Sequence, residues 1–182
     1  MRVTGGCARG RKIYTPKSDK IRMTADRIRE ALFAILPSVE GTLFLDIYAG
    51  TGSVGIEALS RGSAGAVFIE RESLHAGVLQ KNLKLLGFEG SCEVLITSAE
   101  SGIRLLSGRK QKFNVVFADP PYDRGLASEL LGLPGVSDLF AKGGILVVEH
   151  SFREDIAVSD MFVPVDQRRY GDTVLSFLKS NR

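Results

Sequence analysis

Phe113-Asn114-Val115-Val116-Phe117-Ala118-Asp119-Pro120-Pro121-Tyr122 is an apolar run that stops on an acid and two prolines. The run has the length and composition of a strand, and the prolines cannot carry it straight on into a helix. Asp119 is therefore expected at the carboxyl end of a strand, the edge where open α/β sheets bind ligands. A carboxylate, a rigid turn and an aromatic ring in four residues suit one task. Asp119 and the Pro120 carbonyl can accept both hydrogens of a planar amino group, Pro121 stiffens the turn, and Tyr122 can stack on the base carrying that group. Such a string also occurs in ordinary turns, so its weight rests on what precedes it.

Working outward, strands and helices alternate from Leu43 onward. Strands are predicted at Leu43–Ile47, Ala66–Ile69, Glu93–Ile96, Phe113–Ala118 and Ile145–Val148, with helices near Ser53–Ser60, Ser73–Leu86, Ala99–Leu106 and Leu126–Leu131. In the second helix Ala76, Leu79, Leu83 and Leu86 form a core stripe, and Gly87 closes it. Apolar strands joined by helices indicate a parallel sheet covered on both faces. Phe162–Arg169 and Thr173–Leu178, parted by Tyr170-Gly171-Asp172, read as a terminal antiparallel hairpin.

The first strand runs into Asp46-Ile47-Tyr48-Ala49-Gly50-Thr51-Gly52-Ser53-Val54-Gly55. Gly50, Gly52 and Gly55 satisfy G-x-G-x-x-G, and Glu70 ends the next strand, so a nicotinamide oxidoreductase is a serious rival. Two features turn the reading away from it. Asp46 lies four residues before the first glycine; its charge is unwelcome beside a pyrophosphate but favourable beside the ammonium of a methionine moiety. The string Asp119–Tyr122 is superfluous for hydride transfer. Glu70 would accept from ribose hydroxyls with either cofactor.

Upstream, residues 1–30 carry nine Lys or Arg against three acids, a local charge of +6 on a chain whose net charge is +3. A basic arm on a mildly acidic body suits a polyanion substrate, although charge runs are commonly only solvated faces. Arg2–Thr4 and Arg11–Tyr14 read as a hairpin turning at Gly5-Gly6, and Pro16–Asp19 as a loop. Thr24 is a plausible N-cap, with Asp26 in the first turn, for a helix whose apolar face is Ile28, Ala31, Leu32, Ile35 and Leu36, ended by Pro37. Arg22, Arg27 and Arg29 are expected near its start or off that face.

With 182 residues, 44% hydrophobic and 25% charged, the chain is expected to form one domain, with a basic extension at 1–40 and a catalytic core at 41–182. No apolar run approaches membrane-spanning length and no signal-type segment opens the chain, so a cytoplasmic location is expected. Cys7 and Cys92 read as reduced thiols, and His75 and His150 are too isolated to suggest a metal.

Asp46 to Gly52, Glu70 and Asp119 to Tyr122 resemble the ordered motifs of class I S-adenosylmethionine-dependent methyltransferases. More narrowly, the chain resembles the bacterial small-subunit rRNA guanine-N2 methyltransferase family, the RsmD type. The resemblance is carried by Met1–Gly6 with Arg9-Gly10-Arg11, by Arg22–Phe33, by Ala49–Gly62, by Asp119–Tyr122 and by Tyr170-Gly171-Asp172-Thr173. It implies a Rossmann-like sheet of seven strands, mostly parallel, with a C-terminal antiparallel hairpin. It also implies S-adenosyl-L-methionine as cofactor, held along Asp46, Ala49, Gly50, Thr51, Gly52, Glu70, Arg71, Ser98, Ala99 and Asp119. The implied reaction is methylation of a guanine N2 in 16S rRNA during small-subunit assembly, on naked RNA or on a 30S assembly particle. The enzyme would act as a monomer without metal or membrane. Arg2, Arg9, Arg11, Lys12, Arg22, Thr24, Arg27 and Arg29 are the expected RNA contacts. Two departures stand out: the family commonly has Arg-Pro-Thr at Arg22-Met23-Thr24 and Asp-Ala at Ser98-Ala99. A DNA adenine-N6 or other amino-group methyltransferase shares the same acceptor chemistry. A non-catalytic RNA-binding module would leave Asp46, Glu70 and Asp119 without a role.

Overall fold

The computed structural model describes residues 1–15 and 26–181. The expected loop Pro16–Asp19, the Thr24 cap, Arg22 and Met23 lie outside the described residues. Helix α1 spans Asp26–Ile35, and the following elements are β1 Leu43–Ile47, α2 Ser53–Ser60, β2 Gly65–Glu70, α3 Ser73–Leu86, β3 Cys92–Ile96, α4 Ala99–Gly108, β4 Phe113–Ala118, α5 Leu126–Gly132, β5 Phe140–Ser151, β6 Phe162–Tyr170 and β7 Thr173–Ser180. The sheet has seven strands in the order β3-β2-β1-β4-β5-β7-β6. The first five are parallel, and β7 runs antiparallel between β5 and β6. Inserting an antiparallel β7 departs from the all-parallel 3-2-1-4-5-6 order of dinucleotide-binding sheets.

Alternation along each strand sends side chains to two cores. Phe44, Phe68 and Phe117 pack with α1, α2, α3 and the N-terminal arm on one face, where Phe33 stacks on Phe44 at 6.3 Å between ring centroids. Leu45, Ile47, Val116 and Ala118 pack with α4 and α5 on the other. Each buried large apolar side chain contributes about 1.5–3 kcal/mol. The α3 stripe is buried as expected, and Gly87 closes the helix at φ 78°. Strand β5 is much longer than Ile145–Val148 suggests, because its first residues pair with the start of β4 across an irregularity between Phe113 and Val115.

Two expectations at the N-terminus are corrected. The hairpin there is one antiparallel bridge, Arg2 to Lys12, and its connection runs over residues 5–10 instead of turning at Gly5-Gly6. Those glycines serve contact with α2: a Cβ on Gly6 would lie 1.7 Å from the Ser60 carbonyl oxygen, to which the Cys7 N–H donates at 2.7 Å. The buried face of α1 also holds Phe33 and Arg29, neither of which the apolar spacing includes. Arg29 is fully buried. Its Nε lies 3.1 Å from Glu57 Oε2, and its Nη2 lies 3.1 Å from Asp26 and donates to the Arg2 carbonyl. Arg29 is thus a structural cation inside the protein and not an RNA contact. Burial pushes the Glu57 carboxyl up, but hydrogen bonds from the Thr4 N–H and hydroxyl and from Arg61, with the Arg29 charge, outweigh it and hold the group below its ordinary range.

Candidate functional site

The carboxyl ends of β1, β2 and β4 open onto one cleft of about 410 Å³. Its walls include Gly50, Glu70 and Arg71 on one side, Ser98 and Ala99 at the start of α4, and Asp119, Pro120, Pro121 and Tyr122 on the other. Four separate stretches of the chain meet there because parallel strands put every strand-to-helix turn at the same edge.

The loop after β1 is held by carboxylates. Glu70 accepts the Gly50 N–H at 2.7 Å through one oxygen and the Glu72 N–H at 2.7 Å through the other, so the end of β2 clamps the loop after β1 to its own turn. Each oxygen retains a lone pair for a ligand hydroxyl. His75 Nδ1 stands 3.7 Å from Glu70. The three glycines differ in their work. A Cβ on Gly52 would meet Leu79 at 2.2 Å and one on Gly55 would meet Phe68 at 2.2 Å, so both permit packing. A Cβ on Gly50, which lines the cleft at φ 57°, would meet nothing within 4 Å, so packing does not explain this glycine. Its left-handed backbone does.

Asp46 does not line the cleft. It shares a strand face with Phe44, under α2, and its Oδ2 accepts the Gly55 N–H at 2.9 Å. Burial pushes its carboxyl up to about 7, against a lowering by the Gly55 hydrogen bond, with a further rise from the Glu70 charge. The expectation that Asp46 faces a methionine ammonium is replaced by a helix-anchoring role, because strand parity points it under α2. Ala49, Thr51 and Gly52 lie in the same loop behind Gly50; Ala49 and Thr51 are buried. Ser98 lines the cleft as the N-cap of α4, accepting the Ser101 N–H at 3.2 Å. Arg71 is exposed and pairs with Glu72 at 3.2 Å.

On the acceptor side, the Asp119 N–H extends the β1–β4 ladder to the Ile47 carbonyl at 3.4 Å, which sets the side chain at the strand's end. The Tyr122 hydroxyl reaches across to Glu149 Oε1 at 3.1 Å on β5 and Thr173 Oγ1 at 3.3 Å on β7. These bonds orient the ring against the cleft wall.

Sequence reasoning misses three residues here. Tyr48 lines the cleft with φ 62°, a strained backbone for a non-glycine residue, and burial pushes its phenol up to about 12. Its only sequence signal is its place between a strand and a glycine loop. Asn82 on α3 is fully buried and bridges two segments, donating to the Tyr14 carbonyl at 3.0 Å and the Thr51 carbonyl at 3.1 Å while accepting the Tyr14 N–H at 2.7 Å. A polar residue beside Leu83 is its faint signal. Glu149 sits in a strand and has none. Of the expected RNA contacts, Arg2, Arg9, Arg11, Lys12 and Arg27 are exposed, with Arg11 donating to the Leu85 carbonyl and Arg2 to the Gly10 carbonyl at 2.7 Å. Arg22 and Thr24 lie outside the described residues.

Residues 1–179 match the family described as Conserved hypothetical protein 95. Over 150 residues the chain is 39% identical to ribosomal RNA small subunit methyltransferase D of Escherichia coli (strain K12), covering 82% of this chain and 74% of that one. The chain belongs to the RsmD-type methyltransferase family. The solved structure of the Escherichia coli protein yhhF agrees throughout, with a TM-score of 0.85 and 32% identity over 100% of this chain and 98% of that one. TrmN from Thermus thermophilus, at 19% identity and a TM-score of 0.68 over 84% of this chain and 48% of that one, shares the fold. The fold is that of a class I methyltransferase, and the nicotinamide reading of Gly50, Gly52 and Gly55 is set aside for this RsmD-type chain.

Proposed function

We propose that this RsmD-type chain transfers a methyl group from S-adenosylmethionine to the exocyclic N2 of a guanine in 16S rRNA, in the cytoplasm, as the small subunit assembles. The observation that carries the reading is that Asp119 and Tyr122 share one cleft with Glu70 and Gly50, so an acceptor base and a nucleoside cofactor would meet edge to edge. The residues suit that cofactor: Glu70 offers oxygens to ribose hydroxyls, Gly50 admits close backbone approach, and Ser98 with Ala99 borders the adenine end. When bound, the cofactor supplies an electrophilic methyl on sulfur. A guanine amine is a weak nucleophile because its lone pair is spread into the ring. Asp119 and the Pro120 carbonyl accept its two hydrogens, favour a pyramidal nitrogen, and orient its lone pair. Asp119 then receives the proton. Tyr122 stacks on the extruded base.

A single copy of the chain carries every residue named in this cleft. Among the described residues no helix is long and apolar enough to cross a membrane, and no cluster of three or more His, Cys, Asp or Glu could hold a metal ion. The test is to incubate the protein with labelled S-adenosylmethionine and either 16S rRNA or small-subunit particles from cells lacking it, and then to map the label. Label on one guanine N2 is expected. Label confined to protein or to RNA positions other than a guanine N2, or no transfer at all, overturns the reading.

The exposed arm makes a separate prediction for the same substrate. Arg9, Arg11 and Lys12 would neutralise phosphates, so replacing all three with alanine should flatten the salt dependence of RNA affinity by about two to three units. An unchanged slope would make the arm a solvated face.

A further inference from the structure

The motif Tyr170-Gly171-Asp172-Thr173 has no part in the chemistry above, yet the fold brings it to the reactive edge. Ser151, the last residue of β5, pairs with Thr173, the first of β7, at the same end of the sheet as Asp119. Thr173 contacts the Tyr122 hydroxyl at 3.3 Å. The turn then gathers two further groups. The Asp172 carbonyl accepts the Phe152 N–H at 3.0 Å, and the Gly171 carbonyl accepts Arg169 Nε at 2.8 Å. As a result the Arg169 guanidinium lies 4.1 Å from the centre of the Phe152 ring, and that of Arg153 lies 5.2 Å from it.

Phe152 is 37% exposed, and its N–H is tied to the turn at Asp172. Among the described residues no ion pair engages Arg153 or Arg169, whereas neighbouring Arg168 is committed to Asp166 at 2.9 Å. Glu154, Asp155 and Asp166 line the adjoining cleft of about 540 Å³ together with Phe152 and Arg169. Those acids would repel a run of phosphates. A base face carries no such charge, and aromatic and guanidinium planes are the groups on which bases stack.

We propose that Phe152, Arg153 and Arg169 form a stacking platform for an unpaired nucleotide that flanks the guanine held at Asp119–Tyr122. The proposal rests on the rRNA methyltransferase reading. The turn at 170–173 is its frame, which couples the platform to the Tyr122 ring through Thr173.

The experiment measures methyl transfer to 16S rRNA or to small-subunit particles from cells lacking this protein, whichever the wild type methylates, for the wild type, Phe152→Ala, Phe152→Tyr and Arg169→Ala. Phe152→Ala and Arg169→Ala should each raise KM for the rRNA about tenfold, on the scale of one lost base stack, with kcat changed far less. Phe152→Tyr should restore it, since the ring is kept. S-adenosylmethionine affinity should stay as in the wild type for all three. The salt slope of RNA affinity should be unchanged in Phe152→Ala, unlike that of the arm variant. An unaltered KM in Phe152→Ala with an active wild type overturns the platform alone. A parallel loss of cofactor affinity, or failure of the tyrosine to rescue, assigns Phe152 to structure and also overturns it. A wild type that transfers nothing to either 16S rRNA or small-subunit particles removes the functional reading and the platform with it.

Discussion

The two loops that face each other across the cleft are ordered by different means. The loop after β1 and the first turn of α2 are held by side chains outside them: Glu70 accepts the Gly50 N–H, Asp46 accepts the Gly55 N–H, and the Asn82 amide donates to the Thr51 carbonyl. The loop after β4 is stiffened from within by Pro120 and Pro121 and then tethered at its far end by the Tyr122 hydroxyl. In the first loop the carboxylates serve the backbone before any ligand arrives, so little ordering is left to be done on binding. In the second loop the prolines stiffen the backbone, and Asp119 lines the cleft at the strand's end. In the proposed reaction, acids of the same strand-end type have different duties.

Substitutions can break that contrast, and the largest effect is expected at Asp119. Asp119→Ala should lower the rate of methyl transfer by at least about a hundredfold while leaving S-adenosylmethionine affinity nearly intact. Retention of more than about a tenth of the rate would remove Asp119 from the chemistry. Next comes Asp46, whose effect is on stability. Its folded value of about 7 lies above the ordinary 3.8 of an aspartate, so the folded state binds the proton more tightly. Ionising it is therefore free below about pH 4, increasingly destabilising from there to about pH 7, and fully costly above. Asp46→Asn keeps an acceptor for Gly55 and removes that penalty, a gain that should grow across this window to the order of a few kcal/mol. Urea melts of both proteins at several pH values test it, and parallel curves would rule out a buried titrating Asp46.

Glu70 sharpens the comparison, because it both holds the loop after β1 and lines the cleft. Calorimetry should show Glu70→Ala weakening S-adenosylmethionine binding by about 1–3 kcal/mol. Unaltered binding would confine Glu70 to bracing the backbone. The smallest effect belongs to Tyr122→Phe, which keeps the ring and cuts the tether to Glu149 and Thr173. A loss of about 0.5–1.5 kcal/mol, read from kcat/KM for rRNA, is expected. A loss as large as that of Asp119→Ala would make the hydroxyl itself a reacting group.

The order of elements, the parallel sheet with its terminal hairpin, and the meeting of Gly50, Glu70, Ser98 and Asp119 at one edge were legible in the sequence. Strand period, prolines and strand-end acids are local signals, and parallel connectivity turns them into a shared edge without further information. Other features needed the folded chain. Asp46 and Glu70 both end strands, but only parity and the helix overhead decide that one lies beneath α2 and the other in the cleft. Arg29 looks like one more cation in a basic segment until Glu57, 28 residues away, is found to neutralise it in the interior. Gly6 reads as part of a turn because its true reason, the Ser60 carbonyl, lies on another element. Asn82 and Glu149 carry almost no local signature, since their partners come from remote stretches of chain. A backbone period is a property of neighbours in sequence and can be read there. Which polar group meets which partner, and whether a charge is buried or wet, depends on contacts between distant segments, and only the tertiary structure decides those.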